Sequence, residues 1–267
     1  MTLTRPALGL VLVLAASAAY AQPTGDEIVQ QCDLNTNIGK DTRATMTMVL
    51  KDNAGNEQKN VYKRYWIDNK GRNQIVDKMM LFTEFPPDAA GTAFMRWSYL
   101  PGAGKNAEQW LFLPSLNTLR RVSVRDPGDS FLGSDLTYQD ISYRALNEDT
   151  HKLVREDKVD GAEYYVVESV PREKNPLYGK TMTWFQKTAD WAECRKRRVE
   201  YYDTRDNLIK TEILKWQKVG SAWLWDQVHV ENVRTGHSSL FSITDPEVNV
   251  GLDDKMFSDR TLRRGVH

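Results

Sequence analysis

Residues 129–140 read Asp-Ser-Phe-Leu-Gly-Ser-Asp-Leu-Thr-Tyr-Gln-Asp and interrupt a chain otherwise made of strand-like segments. Their larger apolar side chains are Phe131, Leu132, Leu136 and Tyr138. Ser134 suits the N-cap of a short helix, and Asp135 suits its positively polarised first turn. We therefore expect an apolar loop followed by a short helix. Such an insert needs an apolar surface to cover, and we expect that surface to be the inside of a curved sheet.

The segments on both sides of this insert show the alternation of apolar and polar residues that is typical of strands. In residues 44–51, for example, Ala, Met, Met and Leu alternate with the polar residues Thr, Thr and Lys. Short turns such as Asp160-Gly161 separate many of these segments, which is a hairpin signal. The pattern predicts a mainly β fold, a single curved antiparallel sheet or half-barrel of about 11–12 strands.

Helical patterns are few and short in this chain. They occur at residues 24–32, where Thr24 is the expected N-cap, and at residues 254–264. We expect the short helices to cover the concave face of the sheet. Because they are too small to fill the concavity, the sequence predicts a cavity beneath them.

The N-terminus has the features of a Sec signal peptide. Arg5 precedes an apolar run at residues 8–19, and Ala19-Tyr20-Ala21 is a small-x-small cleavage site. We expect cleavage after Ala21, which divides the chain into a signal peptide, residues 1–21, and one domain, residues 22–267.

The charge of the chain is balanced. Its 36 Lys and Arg residues equal its 36 Asp and Glu residues, so the chain has no long-range attraction for polyanions. We expect no nucleic-acid partner. The 8 Trp and 11 Tyr residues suit half-buried sheet surfaces and also the wet edges of an apolar binding site.

A family resemblance starts at residues 129–140 and extends upstream through Trp110-Leu111-Phe112-Leu113-Pro114 and Leu119-Arg120-Arg121. These motifs resemble segments of the LolA-like family of outer-membrane lipoprotein-sorting proteins. The resemblance implies a periplasmic half-barrel that shelters the acyl chains of a lipid or lipoprotein. It also implies a monomer without a cofactor, and an inner-membrane exporter of the RND or MMPL type as partner.

Several residue groups are candidates for the lining of such a cavity. Methionine is flexible and polarisable, so methionines in the first strands suit varied acyl chains, although plain core is the alternative. Two tryptophans are candidates for the cavity mouth or for cross-strand pairs on the outer face. The candidates are Met46, Met48, Met80, Phe82, Met95, Trp97 and Trp110, together with Phe131, Leu132, Leu136 and Tyr138 as a movable lid. We expect the lid to pack against Met80, Phe82 and Met95 when no ligand is bound.

Three arginines precede the lid, namely Arg120, Arg121 and Arg125. They are candidates for contact with a lipid headgroup or a partner. The alternative is a solvated surface with local ion pairs, for example with Asp126 and Asp129.

The chain has two cysteines, Cys32 and Cys194. An oxidising periplasm allows a disulfide between them, which would tie the N-terminal helix to a late strand. Two separate, partly buried thiols are the alternative, because the sequence does not give their separation.

The sequence gives little support for an enzyme. The four histidines, at positions 151, 229, 237 and 267, lack metal-ligand spacing, and no nucleophile elbow, zinc-protease motif or phosphate loop occurs. We expect no enzymatic activity, no metal and no cofactor.

Two alternatives remain, a lipid or lipoprotein carrier and an envelope-stress sensor with the same fold. A carrier needs only a cavity and a docking surface, whereas a sensor would be expected to carry a further interaction domain.

Overall fold

The computed structural model describes residues 22–105, 107–122 and 128–266, and within them it shows one antiparallel sheet of thirteen strands. This confirms the predicted mainly β fold, with thirteen strands where about 11–12 were expected. The strands are β1 (Asp41–Lys51), β2 (Glu57–Asp68), β3 (Ile75–Phe85), β4 (Ala93–Tyr99), β5 (Glu108–Leu113), β6 (Thr118–Val122), β7 (Asp149–Val159), β8 (Ala162–Pro171), β9 (Lys180–Gln186), β10 (Lys196–Tyr202), β11 (Leu208–Val219), β12 (Ala222–Asn232) and β13 (Ser238–Val248). The predicted signal peptide lies outside the described residues.

The first and last strands pair with each other in the middle of the sheet. The spatial order is β6-β5-β4-β3-β2-β1-β13-β12-β11-β10-β9-β8-β7, and β1 pairs with β13 over Thr42–Lys51. This order makes β6 and β7 the two edges. The segment between them in the chain, which contains residues 129–140, therefore joins opposite edges of the sheet.

The sheet is curved but not closed. Arg96 of β4 and Ser169 of β8 line one cavity, although nine inter-strand steps separate their strands. In a flat sheet those steps would place the two residues ~43 Å apart. Residues 128–148, which precede β7, lie on the concave side that this curvature creates.

The N-terminal helix α1 (Gly25–Val29) lies on the same side of the sheet as residues 128–148. Thr24 caps it in a capping box with Glu27, as the sequence predicted, and a further helical turn, Gln30–Leu34, continues it. Ile28 and Val29 pack with residues of β8 and β9. Gly25 is required here because a Cβ atom would lie 2.5 Å from the backbone of His151.

A disulfide joins Cys32 to Cys194, with 4.9 Å between their Cα atoms. Of the two alternatives left open by the sequence, the structure shows the bridge. It ties the helical turn after α1 to a position two residues before β10. No helix in the described part of the chain is both long and apolar enough to cross a membrane.

The C-terminal helix α2 (Asp259–Arg264) covers the other face of the sheet, which corrects the expectation that the helices cover the concave face. Leu262 and the preceding Phe257 pack against Met80, Met95 and Phe112. Met79 and Leu81 instead pack in the apolar cluster that contains the lid residue Phe131, on the opposite face of the sheet. α2 therefore seals the convex side of β3 to β5.

The helix expected to begin at Ser134 does not form, because residues 134–142 consist of bends and turns, with Thr137 in an isolated β-bridge to Ser130. Leu132 and Gly133 have positive φ angles of 51° and 80°, and the chain folds back so that Phe131 donates its N–H to the Leu136 carbonyl. The Ser134 hydroxyl accepts the N–H of Leu136 (3.2 Å). Local bonds from such short polar side chains compete with helical hydrogen bonds and favour turns.

Candidate functional site

A cavity of about 640 Å³ lies between the concave face of the sheet and the segment that connects β6 to β7. This volume is within the usual range of about 300–1,000 Å³ for small-molecule sites. Both halves of the sheet contribute apolar lining, with Trp66 and Met79 from one half and Phe241 and Trp216 from the other. An apolar chain inside the cavity would contact both halves at once.

The cover segment, residues 129–145, contributes apolar side chains to the cavity from above. Phe131 and Leu136 are both buried and line the cavity. The Phe131 ring meets the rings of Phe94 and Tyr138 edge to face, with 5.7 Å between centroids in each pair. Such aromatic pairs add about 0.5–1.5 kcal/mol beyond the area they bury.

Polar contacts hold the cover segment to the sheet. Asp135 donates its backbone N–H to the Ser239 hydroxyl (2.9 Å), and that hydroxyl donates to the Asp135 carboxylate (2.6 Å). Lys210 of β11 donates to the Asp135 carbonyl (3.1 Å) and forms an ion pair with Asp140. The guanidinium of Arg96 donates to the carbonyl of Ile141. The cover is thus attached from strands on both halves of the sheet.

The ion pair between Lys210 and Asp140 is almost fully buried, with side-chain exposures of 3% and 2%. The Lys210 ammonium also lies 4.6 Å from the ring centroid of Tyr201 and 5.1 Å from that of Tyr178. Tyr201 donates its hydroxyl to Glu212 (2.6 Å). Burial raises the pKa of Glu212 and that of the Tyr201 hydroxyl, because a buried charge loses its hydration.

Charged side chains in the cavity wall are mostly paired. Arg96 pairs with Asp77 at 3.1 Å, Arg144 with Asp149 at 2.6 Å, and Lys196 with Asp33 at 3.2 Å. The wall is therefore amphipathic, with ion pairs set between apolar surfaces. This arrangement fits a ligand that has both an apolar and a polar part.

Comparison with known proteins places the chain in a family. Residues 76–264 match a family model described as "Uncharacterized protein". The chain belongs to this family. No curated protein matches the sequence.

Solved structures show that the fold is LolA-like. A putative outer membrane lipoprotein-sorting protein domain from Vibrio parahaemolyticus is 28% identical with a TM-score of 0.78, over 90% of this chain and 98% of that one. A DUF1329 family protein from Desulfovibrio piger is 26% identical with a TM-score of 0.77, over 89% and 97% of the two chains. A LolA superfamily protein from Nitrosomonas europaea is 18% identical with a TM-score of 0.64, over 90% and 99%, and this last likeness shows the fold alone.

Three of the predicted cavity residues line the cavity of this LolA-like fold, namely Met46, Phe131 and Leu136. Met48 is buried in the same apolar cluster but does not border the cavity, and Leu132 and Tyr138 pack against that cluster while partly exposed. The structure brings all six together on the concave side. Their role in binding stays a prediction.

The other predicted cavity residues lie on the convex face. Met80, Phe82, Met95, Trp97 and Trp110 all belong to the cluster under α2. Successive strand residues point to opposite faces, so Met79 and Leu81 take the concave side and their neighbours take the other. The lid therefore packs on Phe94 and not, as expected, on Met80, Phe82 and Met95. Trp97 and Trp110 form a cross-strand pair on the outer face, with ring centroids 5.3 Å apart, which is the alternative to the cavity mouth.

The predicted arginine group lies away from the cavity. Arg120 and Arg121 are exposed on the edge strand β6, and Arg121 pairs with Glu108 of β5. Arg125 lies outside the described residues. The local ion pair at Arg121 agrees with the solvated alternative for that residue.

The charged residues of the cavity wall and of the cover attachment were missed from the sequence. The sequence pattern that could have found them is a charged residue in a strand with a large apolar residue two positions before or after it. Arg64 lies between Tyr62 and Trp66 in this pattern, and Arg96 follows Phe94. No group of three His, Cys, Asp or Glu side chains in the described part of the chain is placed to hold a metal ion.

Proposed function

We propose that this protein is a periplasmic carrier that holds the acyl chains of a lipid or lipoprotein in the cavity under residues 129–145. It moves this cargo toward the outer membrane and receives it with the help of an inner-membrane exporter of the RND or MMPL type. The observation that carries the proposal is the 640 Å³ cavity lined from both halves of the sheet. The lipoprotein-sorting name of the domain that is 28% identical supports it.

The energetics of the cavity suit an acyl ligand. Each methylene transferred from water to an apolar site contributes about 0.8 kcal/mol, so ten methylenes contribute about 8 kcal/mol before the costs of association. Trp66, Met79 and Phe241 provide apolar surface for this transfer. A carrier must also release its cargo, so the apolar cover needs to move or to be replaced.

The cover segment supplies such a movable element in the proposal. Phe131 and Leu136 occupy part of the space between the sheet and the cover when no ligand is bound. Cargo entry would displace these side chains and would strain the polar contacts made by Asp135 and Asp140. These contacts set the free energy that acyl binding has to exceed.

The periplasmic location in the proposal rests on two features. Residues 1–21 carry the pattern of a secretion signal. The disulfide between Cys32 and Cys194 fits an oxidising compartment.

Native mass spectrometry of protein purified gently from a bacterial periplasm tests the proposal. We expect a bound species whose mass, after extraction, identifies a lipoprotein, a phospholipid, a sterol or a hopanoid. The carrier proposal fails if the protein is recovered without any bound amphiphile and also does not bind a fluorescent fatty-acyl probe.

A further inference from the structure

Two arginines reach the cavity from strands on either side of β3. Arg64 belongs to β2 and Arg96 belongs to β4, and Asp77 lies on β3 between those strands. All three side chains line the cavity. Asp77 pairs with Arg96, and it is the carboxylate whose negative charge acts on Arg64.

Asp77 is already engaged by other groups. Its Oδ1 accepts hydrogen bonds from Arg96 and from the Ser98 hydroxyl, each at 3.1 Å. The hydrogen bond of Arg64 goes to the hydroxyl of Thr42 (2.9 Å), which carries no charge. Arg64 thus differs from the other Lys and Arg side chains of the wall, because no carboxylate in the described part of the chain lies within salt-bridge distance of it.

The remaining acid of the wall lies too far away to compensate Arg64. Asp68 is four residues along the same strand, which corresponds to ~13 Å, and its carboxylate accepts the N–H of Lys70 (2.7 Å). Burial lowers the pKa of Arg64 to about 10, the positive charge of Arg96 adds to this effect, and Asp77 opposes it. The Arg64 guanidinium is still charged at neutral pH, and no carboxylate of the described residues forms a salt bridge with it.

Arg96 also has an unused hydrogen-bond donor. The residue is 5% exposed, and its Nε is buried without a described hydrogen-bond partner. Burying a charged donor without an acceptor is unfavourable. An anion placed between the two guanidinium groups would supply both the missing charge and the missing acceptor.

We propose that Arg64, together with Arg96, binds the anionic group of the cargo, either a phosphate or a carboxylate, so that the cavity selects anionic amphiphiles over neutral ones. This inference rests on the proposed carrier function. A guanidinium presents a planar fork of donors that matches the oxygens of both groups. The acyl chain then lies against the apolar wall while the anionic group meets the arginines.

The first experiment compares lipids that differ only in the headgroup. The protein is delipidated and titrated with pyrene-labelled phosphatidylglycerol and with pyrene-labelled phosphatidylcholine of the same chain length. We expect the anionic lipid to bind about tenfold or more tightly. Arg64→Gln should remove this preference, while Lys63→Gln should keep it, because Lys63 is an exposed neighbour on the opposite face of the same strand. Oleic acid against methyl oleate tests whether a carboxylate is recognised in the same way.

The second experiment measures anion binding without an acyl chain. Isothermal titration calorimetry with butyl phosphate, butanoate and butanol compares the affinities of the two anionic compounds with that of the neutral control. We expect butyl phosphate or butanoate to bind the wild-type protein more tightly than butanol does, and Arg64→Gln to weaken that binding about tenfold. Thermal melts establish that the variant is folded, and Arg64→Lys, which keeps the charge, should retain part of the preference.

The outcomes separate the anion site from the carrier function. Equal binding of both phospholipids by the wild-type protein overturns the anion site and leaves the carrier proposal standing. If no lipid binds but butyl phosphate still binds through Arg64, the carrier proposal fails and the anion site stands. If butyl phosphate and butanoate bind no better than butanol, the anion site is wrong whatever the lipids do, and this comparison does not depend on any variant.

Discussion

Lys210→Met should destabilise the protein far more than the loss of an ordinary surface lysine. The substitution keeps the apolar stem but removes the ammonium group that pairs with Asp140 at 3% and 2% side-chain exposure. It leaves a buried carboxylate whose described hydrogen bonds come from the Thr137 N–H (2.6 Å) and the Tyr178 hydroxyl (3.4 Å). Removing one partner of a buried ion pair typically costs about 3–5 kcal/mol.

A matched control lies on the same strand. Lys218 pairs with Glu193 at 46% and 42% exposure, and exposed pairs contribute about 0–1 kcal/mol. Lys218→Met should therefore change the free energy of unfolding by less than about 1 kcal/mol. The difference between the two variants, about 3 kcal/mol, is the quantity that the structure predicts.

Urea unfolding at pH 7 measures this difference, and hydrogen exchange shows where it acts. We expect the amides of residues 135–141 to lose protection in Lys210→Met before the sheet does, because Lys210 also holds the carbonyl of Asp135. Asp140→Asn in the Lys210→Met background should recover part of the stability, since it removes the unpaired charge. Equal unfolding free energies for the Lys210 and Lys218 variants would refute the claim that a buried ion pair attaches the cover.

Three further predictions concern the lid, the disulfide and a buried acid. Leu132→Glu should weaken the binding of a fluorescent fatty-acyl probe about tenfold. The unfolding free energy should change by less than about 1 kcal/mol, because Leu132 is only partly buried. Unchanged probe affinity would contradict the lid. Replacing Cys32 and Cys194 by serine opens a disulfide-closed loop with a sequence separation of 162 residues, and in the chain-entropy model this should lower the unfolding free energy by about 5 kcal/mol. Free thiols in the denatured, unreduced wild-type protein would contradict the disulfide. Burial raises the pKa of Glu212 above 4.5, so the folded protein holds this proton more tightly and this group's contribution to stability falls as pH rises above 4.5. Glu212→Gln, which can still accept a hydrogen bond from Tyr201, should flatten the fall of the unfolding free energy above pH 4.5 in urea titrations. The same pH dependence in the wild-type protein and the variant would contradict this role of Glu212.

The sequence predicted the parts of the fold that depend on local pattern. Alternation along residues 44–51 and the turn at Asp160-Gly161 correspond to β1 and to the hairpin of β7 and β8. Thr24 was recognised as a cap because the capping box lies within four residues. The central pairing of β1 with β13 has no such signal, since no turn joins these two strands.

The face of each candidate residue could not be read from the sequence. Residues 79–82 are Met-Met-Leu-Phe, so both faces of β3 are apolar and alternation does not show which one meets the cavity. The structure decides it by placing α2 over Met80. The charged positions were missed for a different reason. The Thr42 hydroxyl that Arg64 contacts is 22 residues away in the chain, and the Lys210 ammonium that pairs with Asp140 is 70 residues away.

The most direct test of the account is to locate the acyl chain on the protein. A phospholipid with a diazirine at the end of its acyl chain is bound, activated by light and mapped by mass spectrometry. We expect crosslinks to Met46, Trp66 and Phe131, which line the cavity. Crosslinks confined to Met80 and Met95 on the convex face would contradict a carrier that holds its cargo inside the curved sheet, as would the absence of any crosslink at a lipid concentration that saturates binding.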